Sequence, residues 1–401
     1  MAVKSLSLRT IGQLKNLAGR RVLLRVDFNA PIKARRVVDD FKIRASLPTI
    51  RHLLKEKAKL IIVSHLGRPH GVEPSLSLAP VARQLGKLLA KNIPLCPLPA
   101  AFFTRGTLPP AISRLPAGAA CLLENIRFYP GEEKNDPALA RGLARLADIF
   151  VLDGFAVAHR DAASVSGVAG VLPSYAGSLV AQEVKMLSGV LARPRQPFVV
   201  VLGGAKVETK IPVLRQLLPK ADHILVGGEI ANTYWWAKGL KVGSSLVGKK
   251  FKQEVLKYCA SPKVIMPVDV VVGTPDGQSA TLLPLDSQFS IPRAKFGVFD
   301  IGPATVQLFA EYLKSASTIV WNGAMGKFEV APYHFGTYAL AELIAARSRG
   351  AALGIAGGGE TVEVLRERGI IEAVDFVSTG GGAMLEFLGG KKLPGLQALL
   401  R

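Results

Sequence analysis

Nine short, largely apolar runs punctuate this 401-residue chain, each followed by a glycine-rich or polar turn. Four lie in the first half, at 22–26, 60–63, 120–123 and 149–152. Five lie in the second, at 198–202, 223–226, 318–321, 354–356 and 376–378. A strand with one wet face alternates apolar and polar residues, whereas a continuous apolar run suits a strand covered on both faces, as in a parallel sheet. Stretches of helical period separate the runs, among them 78–89, 138–146, 207–217 and 337–348. Strand–helix alternation twice over predicts an α/β fold with two doubly wound, Rossmann-like parallel-sheet domains facing across a hinge cleft.

Residues 175–191 read as one helix, with Val180, Val184, Leu187 and Leu191 at helical spacing, and Pro194 and Pro197 break the chain after it. The expected division is a first domain over 1–174, an interdomain helix and linker over 175–197, and a second domain over 198–383.

Ligands of open parallel sheets bind beyond the carboxyl ends of the strands, so the residues following each run carry the functional information. In the first half these are Asp27, Phe28 and Asn29; His65, Leu66, Gly67 and Arg68; Asn125 and Arg127; and His159 and Arg160. Three arginines on one rim with two histidines suit a small, multiply charged anion, because the guanidinium fork binds phosphate and carboxylate bidentately. In the second half the runs end in glycine: Gly203-Gly204-Ala205-Lys206, Gly227-Gly228, Gly357-Gly358-Gly359 and Gly380-Gly381-Gly382. Such turns let backbone approach a ligand and aim helix N-terminal amides at phosphates. Lys206 and Lys210, four apart, are expected on one helix face where both reach a polyphosphate. Glu360 is a candidate Mg²⁺ ligand, since that ion takes one or two carboxylates plus phosphates. An anion site in one half and a Mg-nucleotide site in the other suggest phosphoryl transfer, which depends on positioning and charge neutralisation.

Charge and motif content exclude other classes. The chain carries 51 Lys+Arg against 30 Asp+Glu, and the excess is concentrated in residues 1–200, with 29 against 13. Scattered basic residues account for much of it, and neither a long basic run nor an RNP-type motif appears, so no specific nucleic-acid target is expected. No run approaches the roughly 18 apolar residues of a membrane span. Cys96, Cys121 and Cys259 form no CxxC pair, which argues against a disulfide framework or zinc site. With no secretory signal visible, the protein is expected to be cytoplasmic. Walker A, HRD-type and GxGxxG motifs are absent.

The chain resembles the phosphoglycerate kinases over nearly its whole length. The matching segments are Arg25 to Pro31 (RVDFNAP), Ser64 to Pro69 (SHLGRP), Leu122 to Phe128 (LLENIRF), Gly131 to Asp136 (GEEKND) and Ala158 to Arg160 (AHR). They continue with Leu202 to Val207 (LGGAKV), Asp300 to Pro303 (DIGP), Val320 to Gly323 (VWNG) and Val377 to Ala383 (VSTGGGA). The resemblance implies reversible transfer of the acyl phosphate of 1,3-bisphosphoglycerate to ADP, giving 3-phosphoglycerate and ATP, with Mg²⁺ as cofactor and the protein as a monomer. It implies that Asp27, Phe28, Asn29, Lys42, His65, Leu66, Gly67, Arg68, Arg127 and Arg160 hold the glycerate and its phosphate. Gly204, Ala205, Lys206, Lys210, Asn322, Glu329, Gly358, Gly359, Glu360 and Thr361 would hold the nucleotide, with Glu329 on the ribose and Glu360 on the metal. Lys206, Lys42, Gly381 and Gly382 would serve the group in flight. Residues 384–401 would return to the N-terminal domain.

Four positions depart from the family pattern. Lys42 stands where the family has its catalytic arginine, keeping the charge and losing the fork. Arg44 could compensate only by facing the site. Glu360 replaces the metal-binding aspartate, Glu229 a third glycine near the adenine, and Ala162 a polar residue beside Arg160. These departures leave two other readings to weigh: a kinase-like nucleotide binder that transfers poorly, and a basic-surface nucleic-acid binder.

Overall fold

The computed structural model describes residues 6–99, 102, 107–286, 289–291 and 295–400. Arg401 and residues 1–5, at the outer ends of the expected terminal segments, lie outside them. The chain divides into two compact units. One runs up to Ser188 and takes in the chain from Lys392 onward; the other is Gly189–Lys391.

The first unit contains β1 (Arg21–Arg25), a small hairpin of β2 (Ile32–Lys33) and β3 (Arg36–Val37), β4 (Lys59–Val63), β5 (Leu95–Cys96), β6 (Ala120–Leu123), β7 (Ile149–Leu152) and β8 (Ser174–Ala176). Its main sheet has the order β5-β6-β4-β1-β7-β8 with every neighbouring pair parallel. Both faces are covered, which is why the runs are continuous. Val22 and Leu24 pack with Ile43, Leu47 and Ile50 of the helix Phe41–Lys55 and with Val81 and Leu85 of the helix Ala79–Leu89. Leu23, pointing the other way, is fully buried too. The C-terminal stretch joins this unit: Gly395 N–H bonds Ala158 O and Arg9 N–H bonds Leu399 O.

The helix Ser178–Ala192 corrects the expectation of one helix from 175. Residues 174–176 instead form the edge strand β8, with Tyr175 opposite Val151. Tyr175 lies two residues after Pro173, whose carbonyl accepts from Phe150 N–H, so the open edge of β7 captures this segment before helix can start. Val180, Val184, Leu187 and Leu191 are buried along the helix as their spacing requires.

The second unit contains β9 (Phe198–Leu202), β10 (His223–Val226), β11 (Val264–Ile265), β12 (Asp269–Gly273), β13 (Ala280–Pro284), β14 (Gly297–Ile301), β15 (Thr318–Asn322), β16 (Leu353–Gly357) and β17 (Phe376–Ser378). Its parallel sheet has the order β11-β10-β9-β15-β16-β17. A second, antiparallel sheet of order β13-β12-β14 adds to the expected architecture. The run Val270-Val271-Val272 followed by Pro275-Asp276-Gly277 is a hairpin signal in the sequence. The partner strand β13 is mostly exposed and lacks a long apolar run, which makes it hard to see in the sequence.

Candidate active site

In the first unit the strands deliver their terminal residues to one carboxyl edge. Asp27 follows β1; it is buried, and its Oδ2 accepts from Lys42 Nζ at 2.7 Å while Oδ1 accepts from Asn29 N–H at 3.0 Å. Burial alone would raise the Asp27 acid, but the Lys42 ammonium and the Asn29 amide pull it down to about 2. Lys42 stands in the first turn of the helix Phe41–Lys55, half-buried. Arg44 does not compensate for it: Nε of Arg44 bonds Asp40 Oδ1 at 2.7 Å across one helical turn, in the open.

His65 is buried, and desolvation holds its imidazole well below the usual value, so it is neutral at pH 7. Phe28 is buried with its N–H on Ser64 Oγ, and Asn29 Oδ1 accepts from Gly67 N–H at 2.9 Å. Asn125 holds the 65–67 turn from beneath, accepting from Leu66 N–H and donating to Leu66 O at 2.8 Å. Arg127 donates to Gly67 O and pairs with Glu133 at 2.9 Å. Arg68 is exposed and Arg160 half-buried. Desolvation lowers the Arg127 guanidinium, and the charges of Arg160 and Arg68 lower it further, so the three arginines act on one another. These contacts bring Asp27, Asn29, Lys42, His65, Gly67 and Arg127 together, and the charges of Arg68 and Arg160 reach Arg127.

The rim has a further member, present in the RVDFNAP segment but given no role by the sequence. Arg25, on β1 itself, is 2% exposed and sits behind the rim. Its Nε bonds Ser164 Oγ at 2.8 Å, and Nη2 lies 3.9 Å from Glu132 Oε1. Glu132, 3% exposed, accepts from Ser164 Oγ at 2.6 Å and from Ser164 N–H at 2.9 Å. Burial lowers Arg25, Glu132 supports its charge, and Arg127 and Arg160 oppose it. The result is a rim with more cations than counterions.

In the second unit the parallel order puts the glycine turns side by side after β10, β9, β15, β16 and β17. Gly203 cannot be replaced cheaply, since a Cβ there would lie 2.1 Å from Ala324 O. Gly358 has φ +106, a conformation that side chains avoid. Asn322, buried at the end of β15, donates to Gly357 O at 2.6 Å, and Thr361 Oγ1 accepts from Gly323 N–H at 2.8 Å. Gly359 begins the helix Gly359–Glu367; Gly381 and Gly382 begin the helix Gly382–Leu388, which packs on the helix Val207–Leu217.

The two lysines are not equivalent positions on one helix face, which corrects the expectation from their spacing. Lys206 is the exposed cap residue before the helix Val207–Leu217, in a non-helical conformation, and only Lys210 lies inside it. Lys210 is buried, and desolvation brings its ammonium down to about 8 despite support from Glu360. Lys206 lies near enough for its charge to lower Lys210 further.

A cavity of about 450 Å³ opens beside these turns, lined by Gly204, Ala205, Glu229, Trp235, Glu329 and Glu360 among others. Its polar wall includes Asp300, 1% exposed, whose Oδ2 accepts from Gly336 N–H at 2.8 Å. Burial pushes Asp300 up to about 8, partly offset by the Gly336 and Ile301 amides. Protonation of Asp300 in the folded state therefore stabilises it: the contribution is full below about pH 4 and is lost as pH rises through about 8. Asp300→Asn is expected to remove that slope. Urea midpoints measured from pH 5 to 9 would fall less in the variant than in the unsubstituted chain, and parallel curves would refute the assignment.

Among the described residues no cluster of three or more His, Cys, Asp or Glu is placed to cage a metal ion. Glu360 is a single half-buried carboxylate whose Oε2 accepts from Ala324 N–H at 3.3 Å. One carboxylate at a phosphate-type turn fits Mg²⁺ carried largely by substrate phosphates and water, and does not fit a protein-only cage.

Comparison with known proteins agrees with this geometry. Residues 11–391 match the family described as phosphoglycerate kinase. The chain is 44% identical over 393 residues to a phosphoglycerate kinase of Pelotomaculum thermopropionicum, covering 96% of this chain and 97% of that one. It is 43% identical over 389 residues to that of Chloroflexus aggregans, covering 95% and 96%. The solved phosphoglycerate kinase of Coxiella burnetii superposes with a TM-score of 0.83 at 39% identity, over 98% of each chain. That of Pyrococcus horikoshii gives the same TM-score and coverage at 30% identity. With motif, fold and near-complete alignment in agreement, the chain belongs to the phosphoglycerate kinase family, phosphotransferases with a carboxyl group as acceptor.

Proposed function

We propose that the chain catalyses reversible phosphoryl transfer between 1,3-bisphosphoglycerate with ADP and 3-phosphoglycerate with ATP, as a cytoplasmic, monomeric enzyme of glycolysis. The observation that carries the residue-level reading is the cation-rich rim of the first unit, where Arg25, Arg68, Arg127 and Arg160 outnumber their carboxylate partners. Such a rim suits the two anionic ends of a phosphoglycerate. Asp27 and Asn29 supply acceptors for its hydroxyl, and neutral His65 supplies a further hydrogen-bonding group.

The glycine turns of the second unit, with Lys206, Lys210 and Asn322, take the nucleotide phosphates, and Glu329 at the cavity wall takes the ribose. Glu360 would hold Mg²⁺, which when bound neutralises phosphate charge. Lys206, exposed and unconstrained by helix geometry, neutralises the phosphoryl group in flight, with Gly381 and Gly382 offering backbone amides. Transfer is direct and in line. A coupled assay with Mg²⁺ and Mn²⁺ in parallel tests the reading; turnover no better than that of a Lys206→Ala control would refute it.

Lys42 offers one ammonium where a guanidinium would offer two parallel donors, and Asp27 already holds it at 2.7 Å. Lys42→Arg is expected to raise turnover about ten-fold, the worth of one charge-assisted hydrogen bond, with little change in stability. Unchanged or lower activity in the same assay would mean that the site is built around lysine.

A further inference from the structure

We propose that Glu229 sets how strongly this chain holds nucleotide phosphates, by competing with them for the head of the helix Val207–Leu217. The inference rests on the nucleotide reading of the cavity above.

Oε2 of Glu229 accepts from Val207 N–H at 2.8 Å. Val207 is the first residue of that helix, and the leading amides of a helix have no partner within it. They are the groups toward which anions are drawn. Glu229 belongs to a different helix, Gly228–Ala237, and its own N–H bonds Gly204 O at 3.0 Å. The backbone of Glu229 is thereby tied to the Gly203–Lys206 turn, and its half-exposed side chain reaches the helix head from there.

The local charges sharpen the competition. Glu229, Gly204, Ala205 and Glu360 line the same cavity. From the other side of the turn, Glu360 Oε2 would lie 2.8 Å from a Cβ at Gly204, so two carboxylates flank the segment that a phosphate must approach. Glu360 has a cation beside it in Lys210, whose charge it supports. Glu229 instead meets the Val207 amide and the like charge of Glu208; burial raises its acid, Glu208 adds to the rise, and the Val207 amide opposes it. An arriving phosphate must either displace the Glu229 carboxylate or share the helix head with it, and both weaken binding. A nucleoside without phosphate meets no such competitor.

Two substitutions separate charge from occupancy. Glu229→Gln keeps an acceptor for Val207 N–H and removes the charge, and Glu229→Ala removes both. Isothermal titration with ADP and with adenosine, at one ionic strength, reads the difference. The expected result is an ADP Kd about ten-fold lower in Glu229→Ala and about three-fold lower in Glu229→Gln, with adenosine within about two-fold of the unsubstituted chain in both. An ADP Kd that is unchanged or higher in both variants would overturn the proposal. So would an equal gain for adenosine, which would make Glu229 a wall of the nucleoside slot. Absence of ADP binding in all three proteins would overturn the nucleotide reading itself, and this inference with it.

Discussion

Lys206→Ala should lower kcat about a thousand-fold while leaving the melting temperature within a degree or two of the unsubstituted chain. The two halves of that expectation come from different facts. Lys206 is exposed and precedes the helix Val207–Leu217, so its side chain supports no packing, and surface substitutions of this kind usually change stability by less than about 0.5 kcal/mol. Phosphoryl transfer, by contrast, leans on cations placed where charge develops, and removing one such group typically costs about a hundred- to a thousand-fold or more. The measurement is kcat from the coupled assay, with a thermal melt on the same sample. A loss below about ten-fold would assign the role to another cation. Buried Lys210 is the obvious alternative, and its replacement should reduce stability as well as rate.

Glu132→Ala is expected to cost about 3–5 kcal/mol of stability, the range for breaking a buried ion pair from one side. Arg25 would remain in place, 2% exposed, with only neutral acceptors in direct contact among the described residues. Arg127 and Arg160 would still repel it, and Ser164 would lose the acceptor of both its N–H and its hydroxyl. Glu132→Gln should recover part of the loss, because an amide oxygen still accepts from Ser164. Urea unfolding followed by circular dichroism measures both variants. A cost under about 1 kcal/mol for the alanine variant would mean that Asp27 and the neutral acceptors suffice to balance Arg25.

How far the site can be read along the chain differs between its parts. The residues at strand ends are legible, because a run such as 149–152 must be a buried strand and the residues next in the chain must stand at the sheet's edge. All nine runs are strands of the two parallel sheets, displaced by no more than one residue at either end. The helix Phe41–Lys55 is less visible because Pro48 lies inside it. The segment 174–176 has helical neighbours and a helical pattern, yet an unfilled sheet edge prevails over local preference there. Glu132 and Arg25 are 107 positions apart in the sequence, and Glu229 and Val207 are 22 apart; no periodicity links either pair.

Local order in the sequence therefore determined the two parallel sheets, the glycine turns and the family to which the chain belongs. These depend on spacing and turn chemistry, which repeat over a few residues. Tertiary structure alone decided that Arg25 rests on Glu132, that Lys42 is held by Asp27, that Arg44 turns to Asp40, and that Glu229 caps a neighbouring helix. Those meetings depend on which strands become neighbours and how side chains share scarce buried partners, and such competition is settled only when distant segments pack.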